Sequence, residues 1–394
     1  MTSARPMPPR AGRSPVTIVV ALFVLVLAIA VVGIAVVRAN AGSPATGRWY
    51  QPAAAASSAG TDAKASPSAA AATEQISMSA VGDVIMGVPP NLPPNNGKGF
   101  FDDVQSSLRA DLQMANLEEP LTNDTGVTKC SAATLGSTCF QFRSPPSYAN
   151  ILSEAGFGLV NLANNHAYDF GPAGHTNTRA ALDAAGVRYT GPPGMITVVD
   201  VKGIKVAVIG FAPYPWANDL LNIPKGQDLV RQAKKQADLV VIQVHMGAEG
   251  ANYTHVKPGT EMYVGENRGD PIAFSHAMVD AGADVIIGHS PHVLRAMEFY
   301  KGHLIAYSLG NFAGYHALGY TGVVGVTGIL KVTLRKDGSY VSGTLVPTHM
   351  VAPGSPRMDP QHQAISMVSG LTKSDFPKTG AQIATDGTIT PPAA

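Results

Sequence analysis

Residues 157–166 read FGLVNLANNH. The first seven form an apolar run too short for a helix, which reads as a buried strand. It ends on three polar residues in a row, Asn164, Asn165 and His166. The same arrangement recurs along the chain. ISMSAVG (76–82) runs into Asp83, and residues 112–115 lead into Asn116 and Glu118. DLVVIQV (238–244) ends at His245, ADVIIG (283–288) ends at His289 with His292 three residues on, and the strand ending at Gly310 hands over to Asn311.

Helix-like segments separate these runs, at 104–112, 146–156, 171–186 and 270–282, the third with a Pro near its start and a Gly at its stop. Lys202-Gly203, Lys301-Gly302 and Asp337-Gly338 read as hairpin turns. Strands alternating with helices between about Gln75 and Met350 imply an α/β or mixed sandwich architecture. Parallel strands would bring their polar ends to one carboxyl edge, where open α/β sheets bind ligands.

One Asp, one Glu, one Asn and several His form a borderline-hard ligand set suited to Zn, Mn or Fe. Each residue alone has an ordinary structural explanation, as a cap, a turn former or a hydrogen-bonded core histidine. Six strand ends sharing that coincidence do not. All eleven histidines lie at or beyond His166. His175, His255, His276, His303, His316, His349 and His362 lack the strand-end placement and read as packing or surface residues. GDVIMG (82–87) lacks the Gly-Lys-Ser/Thr ending of a phosphate-binding loop, and no Gly-x-Ser-x-Gly elbow occurs.

The whole chain of 394 residues carries 28 Lys+Arg against 27 Asp+Glu. That near-neutral balance argues against nucleic acid as a partner, because such binding needs a dense basic surface. Residues 16–37, VTIVVALFVLVLAIAVVGIAVV, form a charge-free run of 22 long enough to cross about 30 Å of hydrocarbon as a helix. Arg5, Arg10 and Arg13 precede it, so the positive-inside rule places residues 1–15 in the cytoplasm and the body outside, as a single-pass protein of the cell membrane. A signal peptide cut after Ala41 is the competing reading, against which stands the usual signal core of only about 7–15 residues. Residues 38–75, rich in Ala, Ser and Pro, read as a flexible tether. The body is expected to span 76–350, followed by an extended tail at 351–394 that is largely disordered after about Leu371. Cys130 and Cys139 flank a polar loop and, in an oxidising compartment, read as a disulfide.

AVGDVIMG (80–87), ANLEEPLT (115–122), NLANNHAYDFG (161–171), HMGAEG (245–250), IIGHSPHV (286–293) and IAYSLGNF (305–312) follow one another in that order. Together they resemble the capsule synthesis protein CapA family, associated with poly-γ-glutamate production and built on the calcineurin-like metallophosphatase fold. The resemblance runs from about Ser77 to Gly314 and implies a four-layer αββα sandwich. It also implies one or two divalent ions held by Asp83, Glu118, Asn165, His245, His289 and His292, with metal-bound water as nucleophile, Asp83 at the reacting centre and His166 as the acid. Asn116, Asn164, Glu249 and Asn311 would line the site.

The chain departs from the metallophosphatase pattern in places. Asp-x-His becomes Asp83-Val84-Ile85, GHxH becomes GHSPH, Met246 stands where Trp is usual, and Ser290 where a second His is common. The expected activity is that of a metal-dependent hydrolase of the cell envelope, acting on a phosphoester or on an anionic γ-glutamyl polymer. The alternatives are a non-catalytic polymer-binding or export component working with membrane synthesis proteins, and a phosphoesterase unrelated to capsule.

Overall fold

The computed structural model describes residues 74–393. Residues 1–15, expected in the cytoplasm, the apolar run at 16–37 and nearly all of the expected tether lie outside the described residues. Among the described residues, no helix is long and apolar enough to cross a membrane.

The first sheet begins with β1 (Gln75–Ile85), continues through β2 (Leu112–Leu117), β3 (Leu159–Asn161) and β4 (Arg188–Thr190), and these four run parallel. The chain then enters a second sheet through β5 (Thr197–Val201), β6 (Ile204–Ala212), β7 (Leu239–His245), β8 (Val285–His289), β9 (Met297–Tyr300) and β10 (His303–Ala306). There β6, β7, β8 and β10 are parallel, while β5 and β9 fold back as antiparallel edges. Both edges turn at the Lys-Gly pairs read from the sequence. The chain returns to the first sheet with β11 (Asn311–Gly314), β12 (Val326–Arg335), β13 (Tyr340–Val351) and β14 (Ser355–Met358).

Three buried clusters define the layers. Met78, Met114 and Leu159 of the first sheet face Val206, Val208, Val241, Val285 and Ile287 of the second. The other face of the first sheet packs Val81, Ala115, Leu117 and Val160 against α1 (Asp102–Leu108), α2 (Ala149–Ala155) and α3 (Gly171–Ala184). The outer face of the second sheet packs Ala207, Ile209, Val240 and Ile242 against α4 (Ile223–Lys234) and α5 (Pro271–Asp280). The order is therefore helices, sheet, sheet, helices. Asp270 caps α5, its Oδ1 accepting from the amides of Ile272 and Ala273, and Asn222 caps α4 through the Lys225 amide.

The tail departs from expectation. Beyond Leu371 the chain is ordered, with α6 (Gln363–Asp375), β15 (Gln382–Ile383) and β16 (Thr388–Thr390), and β16 pairs with β13 to extend the first sheet to ten strands. Few residues there are apolar, but Phe376, Ala381 and Ile389 are all buried. Backbone pairing supplies the rest: the Phe299 amide donates to the Thr379 carbonyl at 2.8 Å, and Thr372 Oγ1 accepts from the Met297 amide at 3.0 Å. An unpaired edge strand is a strong template for an added strand, which low hydrophobic density does not reveal.

Two glycines let the sheets meet at their carboxyl edges. At Gly82 β1 changes neighbour from β12 to β11, and a methyl there would overlap the Gly310 carbonyl. A methyl at Gly288 would overlap the Tyr307 carbonyl. Each glycine directly precedes a polar residue of the site.

Candidate metal centre

The strand register assembles the centre. Asp83 pairs with Asn311 on β11 and with Asn116 on β2, Asn116 pairs with Asn161 on β3, and His245 pairs with His289 across β7 and β8. Parallel strands put these positions at one end of both sheets, facing each other across the interface between them.

Asp83, Glu118 and His292 form the tightest group, each offering one ligand atom within 4.8 Å of the others. His292 Nδ1 lies 3.2 Å from Asp83 Oδ2, and its Nε2 lies 3.8 Å from Glu118 Oε1. His245 Nε2 is likewise 3.8 Å from Glu118 Oε1, and His289 Nδ1 is 3.9 Å from Asp83 Oδ1. Two donors about 2.1 Å from a shared cation stand roughly 3–4 Å apart, so the separations of 3.8–3.9 Å match a common ion better than direct ion pairs, whereas His292 Nδ1 is within hydrogen-bond reach of Asp83. The additional residue in GHSPH is absorbed by left-handed backbone at Ser290 (φ 98°) and His292 (φ 57°), which turns the second imidazole back onto Asp83.

Neighbouring amides orient the rings. Gln243 Oε1 accepts from His289 Nε2 at 3.1 Å, leaving Nδ1 turned toward Asp83. Asn311 Oδ1 accepts from His292 Nδ1 at 2.8 Å, leaving Nε2 toward Glu118. Such outer partners set tautomer and direction in metal sites. Asn116 donates to Asp83 Oδ1 at 2.7 Å while its own Oδ1 accepts from Asn161 and Asn164. Asn116 and Asn164 thus brace the centre and are not its donors.

Six buried donor atoms of the expected ligands have no hydrogen-bond partner: Asp83 Oδ2, both Glu118 oxygens, Asn165 Oδ1, His245 Nε2 and His289 Nδ1. Leaving so many polar atoms buried and unpaired is costly unless a cation takes them. Electrostatics agrees. Burial pushes the Glu118 carboxyl well above its usual range, and the charges of Asp83 and Glu249 push it further. Burial alone would lower the His292 pKa, but Glu118, Asp83 and Glu249 outweigh it and hold the ring well above its ordinary value. Burial dominates at His289, pushed down to about 4, and at His245, held well below its ordinary value. Two imidazoles kept neutral beside a crowd of carboxylates suit ligation of a divalent ion.

His166 stands apart from the tight group. Its Nδ1 is 2.6 Å from Asp169 Oδ2 and its ring packs on Phe142 at 4.4 Å. Burial lowers its pKa against the opposing pull of Asp169. Asn165, next to it, makes no hydrogen bond through Oδ1, and its carbonyl accepts from Lys129 Nζ at 3.2 Å. Lys129 also pairs with Asp169 Oδ1 at 3.2 Å, and the Phe142 amide donates to Asp169 Oδ2. Cys130 and Cys139 are joined in a disulfide within this segment. Glu249 Oε2 comes to 3.8 Å from His292 Nε2.

Asp169, Gln243, Asn161 and Arg268 escaped the sequence reading. Asp169 sits three residues after His166 in NLANNHAYDFG, a spacing that signals an imidazole–carboxylate pair, and Gln243 is the single polar residue in LVVIQV (239–244). His175, His255 and His276 are engaged elsewhere, against Tyr168, Asp375 and Glu298.

The chain is similar in sequence to capsule synthesis proteins. The chain is 30% identical over 261 residues to the PGA biosynthesis protein CapA of Bacillus subtilis (strain 168), covering 60% of this chain and 63% of that one. It is 32% identical over 262 residues to the capsule biosynthesis protein CapA of Bacillus anthracis, covering 61% and 60%. The chain thus spans about three fifths of the length of these relatives. Among solved structures, a putative 5'-nucleotidase from Staphylococcus aureus aligns with 76% of this chain and 58% of its own at 16% identity and a TM-score of 0.43. The family model described as "Bacterial capsule synthesis protein PGA_cap" matches residues 77–315, more than half of the chain and every strand-end residue of the centre. The chain belongs to the bacterial capsule synthesis protein PGA_cap family.

Proposed function

We propose that this protein is a membrane-anchored, extracytoplasmic component of poly-γ-glutamate capsule or cell-envelope polymer biosynthesis whose folded body is a metal-dependent hydrolase. The observation that carries the chemistry is the set of buried, unpartnered donor atoms on Asp83, Glu118, His245 and His289, which approach one another and His292 from both sheets. The relatives' names supply the polymer. The charge-free run at 16–37 supports the anchor. The Cys130–Cys139 bond supports an oxidising compartment for the body.

In this reading Asp83, Glu118, His245, His289 and His292 hold one or two divalent ions, Mn, Fe or Zn, with Asn165 adding a neutral oxygen. A bound ion supplies Lewis-acid charge and lowers the pKa of water. Gln243 and Asn311 keep the histidine rings turned inward. His166 donates from Nδ1 to Asp169, so its Nε2 is free to exchange a proton with the leaving oxygen of a phosphoester or with the leaving amine nitrogen of a γ-glutamyl amide.

Elemental analysis of the full-length chain, purified in detergent without chelator, tests this. About one or two equivalents of Mn, Fe or Zn, lost in His289→Ala, are expected. The positive result leads to hydrolysis assays on phosphoesters and on γ-glutamyl polymer. A folded protein that carries no metal and takes none up on addition overturns the catalytic reading and leaves polymer binding within a membrane complex.

A further inference from the structure

Glu249 stands four residues beyond β7, on the loop that leads to Asp270. Its carboxylate is shared between two directions. Oε1 accepts from Arg268 Nη1 at 2.6 Å, while Oε2 faces His292 Nε2 at 3.8 Å. Glu118 Oε1 lies at the same 3.8 Å from that nitrogen. Two carboxylates therefore approach one imidazole at the spacing that donors around a shared cation adopt, roughly 3–4 Å.

The aim of Glu249 is fixed from behind. Arg268 is 4% exposed, also holds Glu266 Oε2 at 2.9 Å, and lies against the rings of Tyr214 and Tyr263. The loop is clamped by the buried Arg295, which binds both oxygens of Glu261 at 2.9 and 3.0 Å and the carbonyls of Ala248 and Tyr253. The Ala248 amide, one residue before Glu249, donates to the same Glu261 at 2.7 Å. This is a held carboxylate, not a surface one free to swing.

The centre has a place for it. The first strand offers Asp83 but Ile85 two residues on, an apolar side chain buried where a second ligand would leave that strand. Both Glu118 oxygens and His245 Nε2 remain unpartnered, and Glu118 and Glu249 each bring an oxygen to 3.8 Å from His292 Nε2. We propose that Glu249 is a direct ligand of the metal centre, completing its donor set from the loop after β7, and that Arg268 is the residue that aims it. This rests on the reading of the site as a divalent-cation centre.

Cobalt(II) separates the two claims, because its visible absorption reports the number and type of ligands directly. The full-length chain in detergent, stripped with chelator, is titrated with Co²⁺ by calorimetry and by absorption. Wild type should bind; Glu249→Gln should bind at least about tenfold more weakly and with an altered visible spectrum. Glu266→Gln, which touches the same arginine but not His292, should match wild type in both. If Glu249→Gln does not fold by circular dichroism, Glu249→Asp, which retracts the oxygen by one methylene, should show the same weakening and spectral change. No Co²⁺ binding to wild type defeats the metal reading itself. Binding by wild type with an unchanged isotherm and spectrum in the Glu249 variant defeats the ligand assignment, as does a Glu266→Gln protein that loses affinity equally.

Discussion

Glu118→Gln should reverse its effect on stability according to whether metal is present. In chelator, Glu118 is a fully buried carboxyl with neither oxygen hydrogen-bonded and with Asp83 and Glu249 nearby. An unsatisfied buried polar group costs about 1–3 kcal/mol and a charged one more, so folded Glu118 must hold a proton that the unfolded chain gives up, whereas glutamine keeps the shape and is neutral at every pH. The metal-free variant should therefore be more stable by about 1–3 kcal/mol, or roughly 2–4 °C in Tm for a unit of this size. The gain should depend on pH in a fixed direction. Because the folded protein keeps the Glu118 proton and the unfolded chain releases it, wild-type stability falls as pH rises above the ordinary glutamate pKa of 4.5. The advantage of the variant should thus be absent below about pH 4 and grow as pH rises through the ordinary glutamate range toward neutrality. With metal at about a thousand times its Kd, wild type gains about 4 kcal/mol, or some 6 °C, whereas the variant lacks the carboxylate and gains little. Thermal unfolding of both proteins, in EDTA and in saturating Mn²⁺ or Zn²⁺, reads this directly. A variant less stable than wild type in EDTA near neutral pH, or stabilised equally by metal, refutes the reasoning.

Other substitutions test the frame around the centre. Replacing Cys130 and Cys139 together by Ser opens a short loop and should cost about 2–3 kcal/mol by chain entropy, lowering Tm by a few degrees; reductant should lower the wild type equally and leave the variant unmoved. Ile389→Ala, in a tail strand where the side chain is 1% exposed, should cost about 2–5 kcal/mol, and an unchanged denaturant midpoint would contradict the packing described for the tail. Gly82→Ala forces a methyl onto the Gly310 carbonyl and displaces Asp83, so stability should fall by about 1–3 kcal/mol and metal affinity with it; calorimetry showing unaltered metal binding would detach Asp83 from the centre.

What the sequence made legible was a matter of chemistry local to each strand. Asp83, His245 and His289 announce themselves because a charged or titratable residue closes a run of buried apolar ones, and burial without a partner is costly wherever it occurs. Their convergence followed from parallel pairing alone, and the register Asp83–Asn311 and His289–His245 delivers it. The supporting residues were illegible for the opposite reason. Gln243 is one polar residue in a buried strand, and only the return of β8 alongside β7 puts its amide on His289. Arg268 acquires its meaning from Glu249, 19 residues away, and α4 and the tail strands were missed because their stability comes from contacts with elements distant in the chain.

The departures in sequence also take on physical sense together. Set against the pattern that the resemblance implies, the first strand carries Ile85 where a ring would stand two residues after Asp83, and GHSPH holds one residue more between its histidines than GHxH. Left-handed geometry at Ser290 and His292 spends that additional length on bringing His292 over toward Asp83, so one sheet lends an imidazole to the carboxylate of the other. The same turn faces His292 Nε2 toward Glu118 and Glu249 at once. A chain that had merely lost a ligand would relax into hydrogen bonds among the remaining polar groups. Here the two carboxylate oxygens of Glu118 and the inward nitrogens of His245 and His289 stay unpaired. The framework of Gln243, Asn311, Asn116 and Arg268 keeps them apart, which is the arrangement that the proposed cation would need.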